Sequence, residues 1–504
     1  MIISKDISFA VDEHIWGHRL YDEQLPHLTV LEFLNVLLSN SDAPLREKSG
    51  EAIRYQPQHQ TRLRNLLFNN PYIDLIRSEH IPDDAKWSRW LSLFNQDATE
   101  PADQHLPQLR RNFSTFDDFG RAIELIRASA FEGQSNKRWS SRFVFPFGPD
   151  ALYEDLRFDS KANASNDRRF FARTGELLYL MMSRAQRGAE LGSQIVTRLF
   201  AHDAPMNRLV KALQGEPQKA SNSKEVGYLP HAHDARFDQL CDDWLAILNR
   251  DLPVYDGLDH LITLTGLNLL LYFLEQGRRT VRDAEPVEFL CEIISSQRTK
   301  IRSLSIAGYQ HNQNLSQRAV LAYIESLRSA PEWEKALASD DPSGACAMLV
   351  KQKFQYEKDD DSSLDGLSGD QLLDRLADRA RSRHEQHLGK LHGTWARAIG
   401  LSSRRLTRRV RYAPSDRLLK ALVVAVVDGA MEFSEFLAEI HRRYGIVVGH
   451  AEGRRFVQSQ QIDQEALMNN ANNLETRLLA LGLVRRLSDS CAFVENPFSR
   501  RGAV

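Results

Sequence analysis

SDRLLKALVVAVVDGAMEFSEFLAEIHRRYGIVVG, Ser415 to Gly449, is the stretch on which the fold reading turns. Ser415 or Asp416 can cap a helix, because a short side-chain oxygen accepts the free backbone N–H groups of a first turn. LLKALVVAVV is apolar almost all round, as the innermost helix of a small domain is, and Asp428-Gly429 breaks it. Phe433 to Tyr444 then sets Phe433, Phe436, Leu437 and Ile440 on one helical face and Glu435, Glu439 and Arg442 on the other. Gly445 stops that helix, and Ile446-Val447-Val448 is a short β-like run. Beyond a polar loop, Asp463 can cap a third helix, whose Leu467, Ala471, Leu474, Leu478 and Leu481 recur in steps of four and three. Gly482 ends it. In LVRRLSDSCAFVENPF, Leu483, Val484 and Leu487 lead into a Ser-Asp-Ser turn and Ala492, Phe493 and Val494 return, which predicts a β-hairpin. Helix, helix, strand, helix, hairpin is the order of a winged helix-turn-helix, placed at 415–498.

In such a fold the third helix is the one that enters a major groove. Its expected outward face carries Asn469, Asn470, Asn473, Thr476 and Arg477. Asn bonds adenine edges through its amide, and Arg bonds guanine or phosphate. Arg485 and Arg486 in the hairpin, and Arg454 and Arg455 ahead of the third helix, are candidates for phosphate contact. Upstream, SSRRLTRRVR, Ser402 to Arg411, packs five arginines into ten residues. The competing reading is a winged helix that binds only protein, its Asn-rich face merely solvated.

Charge is divided along the chain. Residues 371–504 hold 22 Lys and Arg against 14 Asp and Glu, a net +8, and the preceding 370 residues hold 43 against 53, a net −10. A basic C-terminal part on an acidic body points to a polyanion for the tail and a separate task for the body. The rest reads as mainly α. Pro26 opens a helix with Leu28, Leu31, Leu34, Leu37 and Leu38 in one stripe. Ile2 to Ile15 alternates. Helix-like blocks follow at Gln58–Phe68, Lys86–Phe94, Asp117–Ser129 and Thr174–Arg184, and a second helical block spans Asp234 to Arg328. The segment Arg138 to Leu156 reads as an irregular buried connector. We expect a helical scaffold over 1–350, with a break near 215–230. An acidic, Ser/Gly-rich linker would follow at 351–370, then a basic region at 371–504.

With 504 residues, 42% of them apolar and 26% charged, the chain has the balance of a globular protein. Cys241, Cys291, Cys346 and Cys491 are far apart and form no Cys-x-x-Cys pair, which fits a reducing cytosol. The N-terminus breaks into charge too early for a signal peptide. The apolar run Leu261 to Leu274 is too short to span a bilayer and predicts a buried helix; no membrane partner is expected. No Gly-Lys-Ser/Thr triplet occurs, which argues against a P-loop NTPase. No Gly-x-Ser-x-Gly or His-Glu-x-x-His motif is present either, so no catalytic residue and no cofactor is expected. Two histidine groups keep a metal-dependent nuclease or hydrolase open as an alternative. One is His14 with His18, the other His231 with His233, near Asp234, Asp242, Asp243 and His260. NDRRFFARTGE, Asn166 to Glu176, could hold phosphate at a helix start, or pair its arginines with the acidic body.

RYAPSDRLLKALV, the YGIVVG turn, LLALGLVRRLSDSCAFVENPF and the N-terminal HIWGHRLYDEQ resemble segments of accessory proteins from prokaryotic phage-defence islands. Such proteins are encoded beside DNA-translocating ATPases, helicases or nucleases, including phosphorothioate-linked systems. The resemblance implies a non-enzymatic, partner-dependent subunit and brings no catalytic residue with it. The combined expectation is a cytoplasmic DNA-binding or adaptor component of an antiviral complex. Its rivals are the metal-dependent enzyme above and a structural subunit whose winged helix binds protein alone.

Overall fold

The computed structural model describes residues 7–499 except 18–19, 22, 47–52, 57, 61–65, 67–69, 71, 98–105, 129–147, 153, 159–163, 167–172, 202, 215–217, 220–222, 228, 295–299, 355, 357, 360–361, 365, 405–408 and 489–490. The fold is mainly helical, with a few short strands. Contacts divide the chain into two units. One comprises Met1–Pro26, Arg184–Arg187 and Gly227–Val504, the other His27–Ser183 and Gly188–Val226.

In the second of these units, the stripe predicted after Pro26 lies in helix Pro26–Ser39, where Leu28, Leu31, Leu34 and Leu37 are all buried. Helix Thr174–Arg184 has the predicted bounds. Its start is held by a distant side chain: buried Glu32 accepts from the backbone N–H groups of Arg173 (3.1 Å) and Gly175 (2.7 Å). Gly175 is required there, because a Cβ would stand 2.6 Å from the Phe33 nitrogen. Trp87, Trp90, Phe116 and Phe119 interlock helices Asp83–Asp97 and Phe116–Ala128. The expected helix at Gln58–Phe68 is corrected at its start only; 61–65 and 67–68 lie outside the described residues, and Leu66 is helical. Gln58–Gln60 is a strand between Glu154–Phe158 and Gln218–Lys219 in a four-stranded sheet, a long-range pairing that local periodicity does not signal. The connector at Arg138 to Leu156 lies outside the described residues up to 147; Pro149–Ala151 then makes one 3-10 turn before strand Glu154–Phe158. Of NDRRFFARTGE, 167–172 lie outside the described residues, and Arg173 pairs with Glu176 at 2.9 Å.

In the other unit the expected alternation at Ile2 to Ile15 is corrected from residue 7 on, where helix Ile7–Trp16 runs; 2–6 lie outside the described residues. Trp16 donates through its indole N–H to the Phe273 carbonyl (2.9 Å), and Tyr272 donates its hydroxyl to the Trp16 carbonyl (2.9 Å). The apolar run Leu261 to Leu274 lies in helix Val254–Thr280, whose 27 residues are long and apolar enough to cross a membrane by length and composition. Its most apolar window is 89% buried in protein, so this is a core helix. Around it pack helices Ala235–Leu248, Lys300–Leu327 and Asp416–Val426. In the expected linker, helix Pro342–Phe354 runs in from before, Lys358–Asp359 pairs with Ser362–Ser363, and a capping box at Ser368 and Gln371 starts helix Gly369–Gln386.

The C-terminal elements fall where their sequence signals put them. Ser415 accepts from the Leu418 N–H and caps helix Asp416–Val426. Helix Phe433–Tyr444 ends at Gly445 with φ +66°, and helix Gln464–Ala480 buries Leu467, Ala471, Leu474 and Leu478. Strands Val484–Ser488 and Cys491–Glu495 form the hairpin. A strand the patterning did not indicate, Ala430–Glu432, adds to it, giving the antiparallel order Ala430–Glu432, Cys491–Glu495, Val484–Ser488. The loop before the third helix contains the short helix Arg454–Gln458. The run Ile446–Val447 leaves this local set and pairs in parallel with Phe289–Leu290.

Candidate functional site

The third helix is attached to the helical body on its inner side. Leu467 and Ile462 pack with Leu290, Ile301 and Val447 in one apolar cluster. Asn470 was expected on the outward face; that placement is corrected. It is 4% exposed, its amide N–H donates to the carbonyls of Cys291 and Val448 (both 3.0 Å), and its oxygen accepts from the Ile293 N–H (2.9 Å). A helix of i, i+3/i+4 stripes puts position 470 beside 467 and 474 on the buried side. An amide with both ends engaged in protein has nothing left for a base edge.

Most of the nominated arginines are held by the chain's own carboxylates. Arg477 bonds Asp416 (2.6 Å) and the Pro414 carbonyl (2.9 Å). Arg485 pairs with Glu495 at 2.7 Å and Arg486 with Glu475 at 2.6 Å. Arg455 bridges Glu285 (3.0 Å) and Glu288 (2.6 Å) and lies over the Phe456 ring. Arg454 is exposed and carries no ion pair among the described residues. Asn469 is exposed and Asn473 half-buried; Thr476 is exposed and returns its hydroxyl to the Asn472 carbonyl at 2.9 Å. Of the arginine-rich stretch, Ser402–Ser403 pairs with Arg411–Tyr412 and Arg411 is buried on Glu292, while 405–408 lie outside the described residues.

The face left open on the third helix consists of Glu465, Met468, Asn469, Asn472, Thr476 and Leu479, a single stripe. It holds no basic residue. Met468 is 45% and Leu479 46% exposed, and Leu487, at the bulge between Arg486 and Ser488 in the hairpin, is 59% exposed. Eight large apolar side chains are exposed among the described residues, and three of them sit on these two neighbouring elements. The sequence reading missed Met468, Leu479 and Leu487 because it searched for hydrogen-bond donors. The signal was available, since Met468 and Leu479 lie off the buried stripe.

The histidine clusters separate. His233 bonds Asp238 (2.8 Å), while His231 sits edge-on to Tyr272, where burial holds its pKa below the ordinary value. Asp234 caps helix Ala235–Leu248 and pairs with Arg279 at 2.6 Å; Asp242 pairs with Arg187 at 2.9 Å. His14 packs on Tyr323 and Phe354, and His18 lies outside the described residues. Among the described residues no group of three or more His, Cys, Asp or Glu stands together as a metal site. The arrangement nearest to a hydrolase constellation is Ser316, His384 and Asp12. The Ser316 hydroxyl is 2.9 Å from His384 Nε2, and Asp12 is 3.5 Å from Nδ1. All three are buried, on three packed helices, and His384 stacks on Trp16. A nucleophile needs an open approach for its substrate; this trio is core structure.

One comparison bears on the C-terminal part. Residues 377–494 match the family model of the Methylation-associated defense system protein MAD7. The match begins inside helix Gly369–Gln386 and ends in the last strand of the three-stranded sheet, so it takes in the whole third helix and all of the hairpin but its last residue. It supports a phage-defence-associated accessory protein. The family's name carries methylation and nothing of phosphorothioate. No curated protein and no solved structure matches the chain.

Proposed function

We propose that this chain is an accessory, non-catalytic adaptor of a methylation-associated antiviral system, and that 415–498 is a winged helix-turn-helix that docks a protein partner. The element order and the three-stranded sheet behind the third helix support the winged-helix reading. The observation that carries the docking reading is the open stripe of the third helix, uncharged beyond Glu465 and anchored by Met468 and Leu479. Helix Gln464–Ala480 as a whole holds two Glu and one Arg, and that Arg is paired with Asp416. Duplex binding draws its affinity from phosphate neutralisation, whereas protein interfaces are built around desolvated apolar anchors with a polar rim. The partner is a second protein of the same system, of the ATPase, helicase or nuclease kind.

Co-purification from the native host tests this, with the full chain and its Met468→Ser/Leu479→Ser variant. The expected result is a defence-system protein retained by the wild type and lost by the variant at unchanged melting temperature. Equal retention by both would overturn the docking face. The second reading, DNA contact, is favoured by exposed Arg454, by Asn469 and by the +8 of residues 371–504. Exposed ion pairs are weak enough to exchange for phosphates. It requires duplex affinity that falls steeply with salt and drops when Arg454, Arg485 and Arg486 are replaced by Ala.

A further inference from the structure

A cavity of about 380 Å³ lies in the larger unit where the C-terminal ends of helices Val254–Thr280 and Phe433–Tyr444 face the loop before Phe289. Its size is that of a small-molecule site. Five guanidiniums line it. Arg278 and Arg279 come from the last turn of one helix, Arg442 and Arg443 from the last turn of the other, and Arg236 from helix Ala235–Leu248. We propose that this cavity binds a small ligand through a phosphoryl group.

Donors on the cavity wall are left unsatisfied. Four carboxylates also line the cavity, and each already has a cation. Glu275 holds Arg236 (2.6 Å) and Asp283 holds Arg278 (3.2 Å), while Glu285 and Glu288 share Arg455, with His441 also on Glu288 (3.2 Å). Each guanidinium on the wall has a carboxylate as well, Arg443 on Glu439 included, but a guanidinium has five N–H donors in a rigid fork, more than one carboxylate takes up. Arg279 uses Nη1 alone, on Asp234, and Arg442 uses Nε and Nη2 on Glu439. Arg278 is 9% exposed, and its Nε is buried with no partner at all. A buried unpaired donor on a charged group costs stability unless something accepts from it. A tetrahedral oxyanion is the acceptor that matches several forks converging from different directions.

The wall of the cavity is also the joint of the C-terminal part. Arg236 donates to the Arg443 carbonyl (2.8 Å), and Gly445, the next turn of chain, pairs its carbonyl with the Phe289 N–H (2.8 Å).

The test uses the full chain, titrated calorimetrically with inorganic phosphate, pyrophosphate and adenosine monophosphate, with a melting curve for each. Saturable binding of at least one probe with a rise in melting temperature is expected. Tighter binding of the nucleotide than of phosphate would assign the ligand as a nucleotide, and the reverse as the bare anion. Arg279→Gln with Arg442→Gln should weaken binding about tenfold or more, one charge-assisted bond being worth roughly that factor. Both side chains are more than half exposed, so folding should persist; Arg442→Gln alone serves if the double variant melts early. No saturable binding of any probe at millimolar concentration, or binding undiminished in these variants, overturns the site.

Discussion

Asn470 and Asn469 are neighbours in sequence and opposites in consequence. Replacing Asn470 by Ala strands the Cys291 and Val448 carbonyls and the Ile293 N–H. Unfolding titrations should register a loss of about 1–3 kcal/mol. Asn469→Ala should change stability by less than about 0.5 kcal/mol, because the side chain is solvated. Buried titratable groups set the acid response. Burial pushes His392, in contact with the Tyr412 hydroxyl at 2.8 Å, down to about 3. Its folded form refuses a proton that the unfolded chain takes near 6.5, so stability is whole above that value and drains as pH falls toward 3. The loss approaches about 5 kcal/mol. Burial pushes Asp243 the other way, up to about 6, although Tyr444, Asn268 and Gln239 all donate to it. That contribution is present below the unfolded value and is lost as pH rises through 6, worth about 3 kcal/mol. The histidine shift is larger, and His14, His231, His260 and His311 are also lowered, chiefly by burial. The chain should therefore lose stability on acidification. In denaturant titrations across a pH series, His392→Gln should flatten the fall and Asp243→Asn should steepen it.

Elements whose signals are local came out where the sequence placed them. Ser415, Gly445 and Gly482 punctuate the C-terminal helices because capping and left-handed φ are properties of one or two residues. Gly445 has a second duty: a Cβ there would meet the Val287 carbonyl oxygen at 2.2 Å, at the start of the Ile446–Val447 pairing with Phe289–Leu290. Gly445→Ala combines a strained φ with that clash and should destabilise by more than about 1 kcal/mol. The measurement is a melting curve, with amide exchange at Ile446 and Val447 rising in step. Leu474→Ala deletes volume at the centre of the third helix's buried stripe and should cost about 2–5 kcal/mol by the same assay. The strand Ala430–Glu432 and the strand Gln58–Gln60 were not legible. Each is three residues long and is defined by a partner far along the chain.

The whole molecule binds its C-terminal part into a larger unit. Arg250 donates to the Val424 carbonyl (2.9 Å), Arg417 pairs with Asp259 (2.7 Å), and Tyr444 donates to Asp243 (2.8 Å). Leu290 and Ile301 complete the apolar cluster around Leu467. A fragment of residues 371–504 exposes that surface and loses those acceptors. It should melt well below the full chain and without a sharp transition; a cooperative fragment melt near the full-chain temperature would show the basic region to be self-sufficient.

By itself the sequence determined the helical character, the Ser415 cap, the glycine stops, the buried stripe of the third helix and the hairpin, since periodicity and turn chemistry are written in neighbouring residues; Asp463 stands at the N-cap of the third helix but makes no capping bond. It also carried the defence resemblance at the same C-terminal segment that the family model matches. Only the tertiary structure decided which side chains remain to meet a partner. Asn470 looked outward-facing until Cys291 and Ile293 took its amide, and Arg455, Arg477, Arg485 and Arg486 have carboxylate partners near and far along the chain, which a phosphate would have to displace. The availability of a donor or a charge depends on what is packed beside it, and the pairing of Arg455 with Glu288 spans a separation in sequence that no local pattern records.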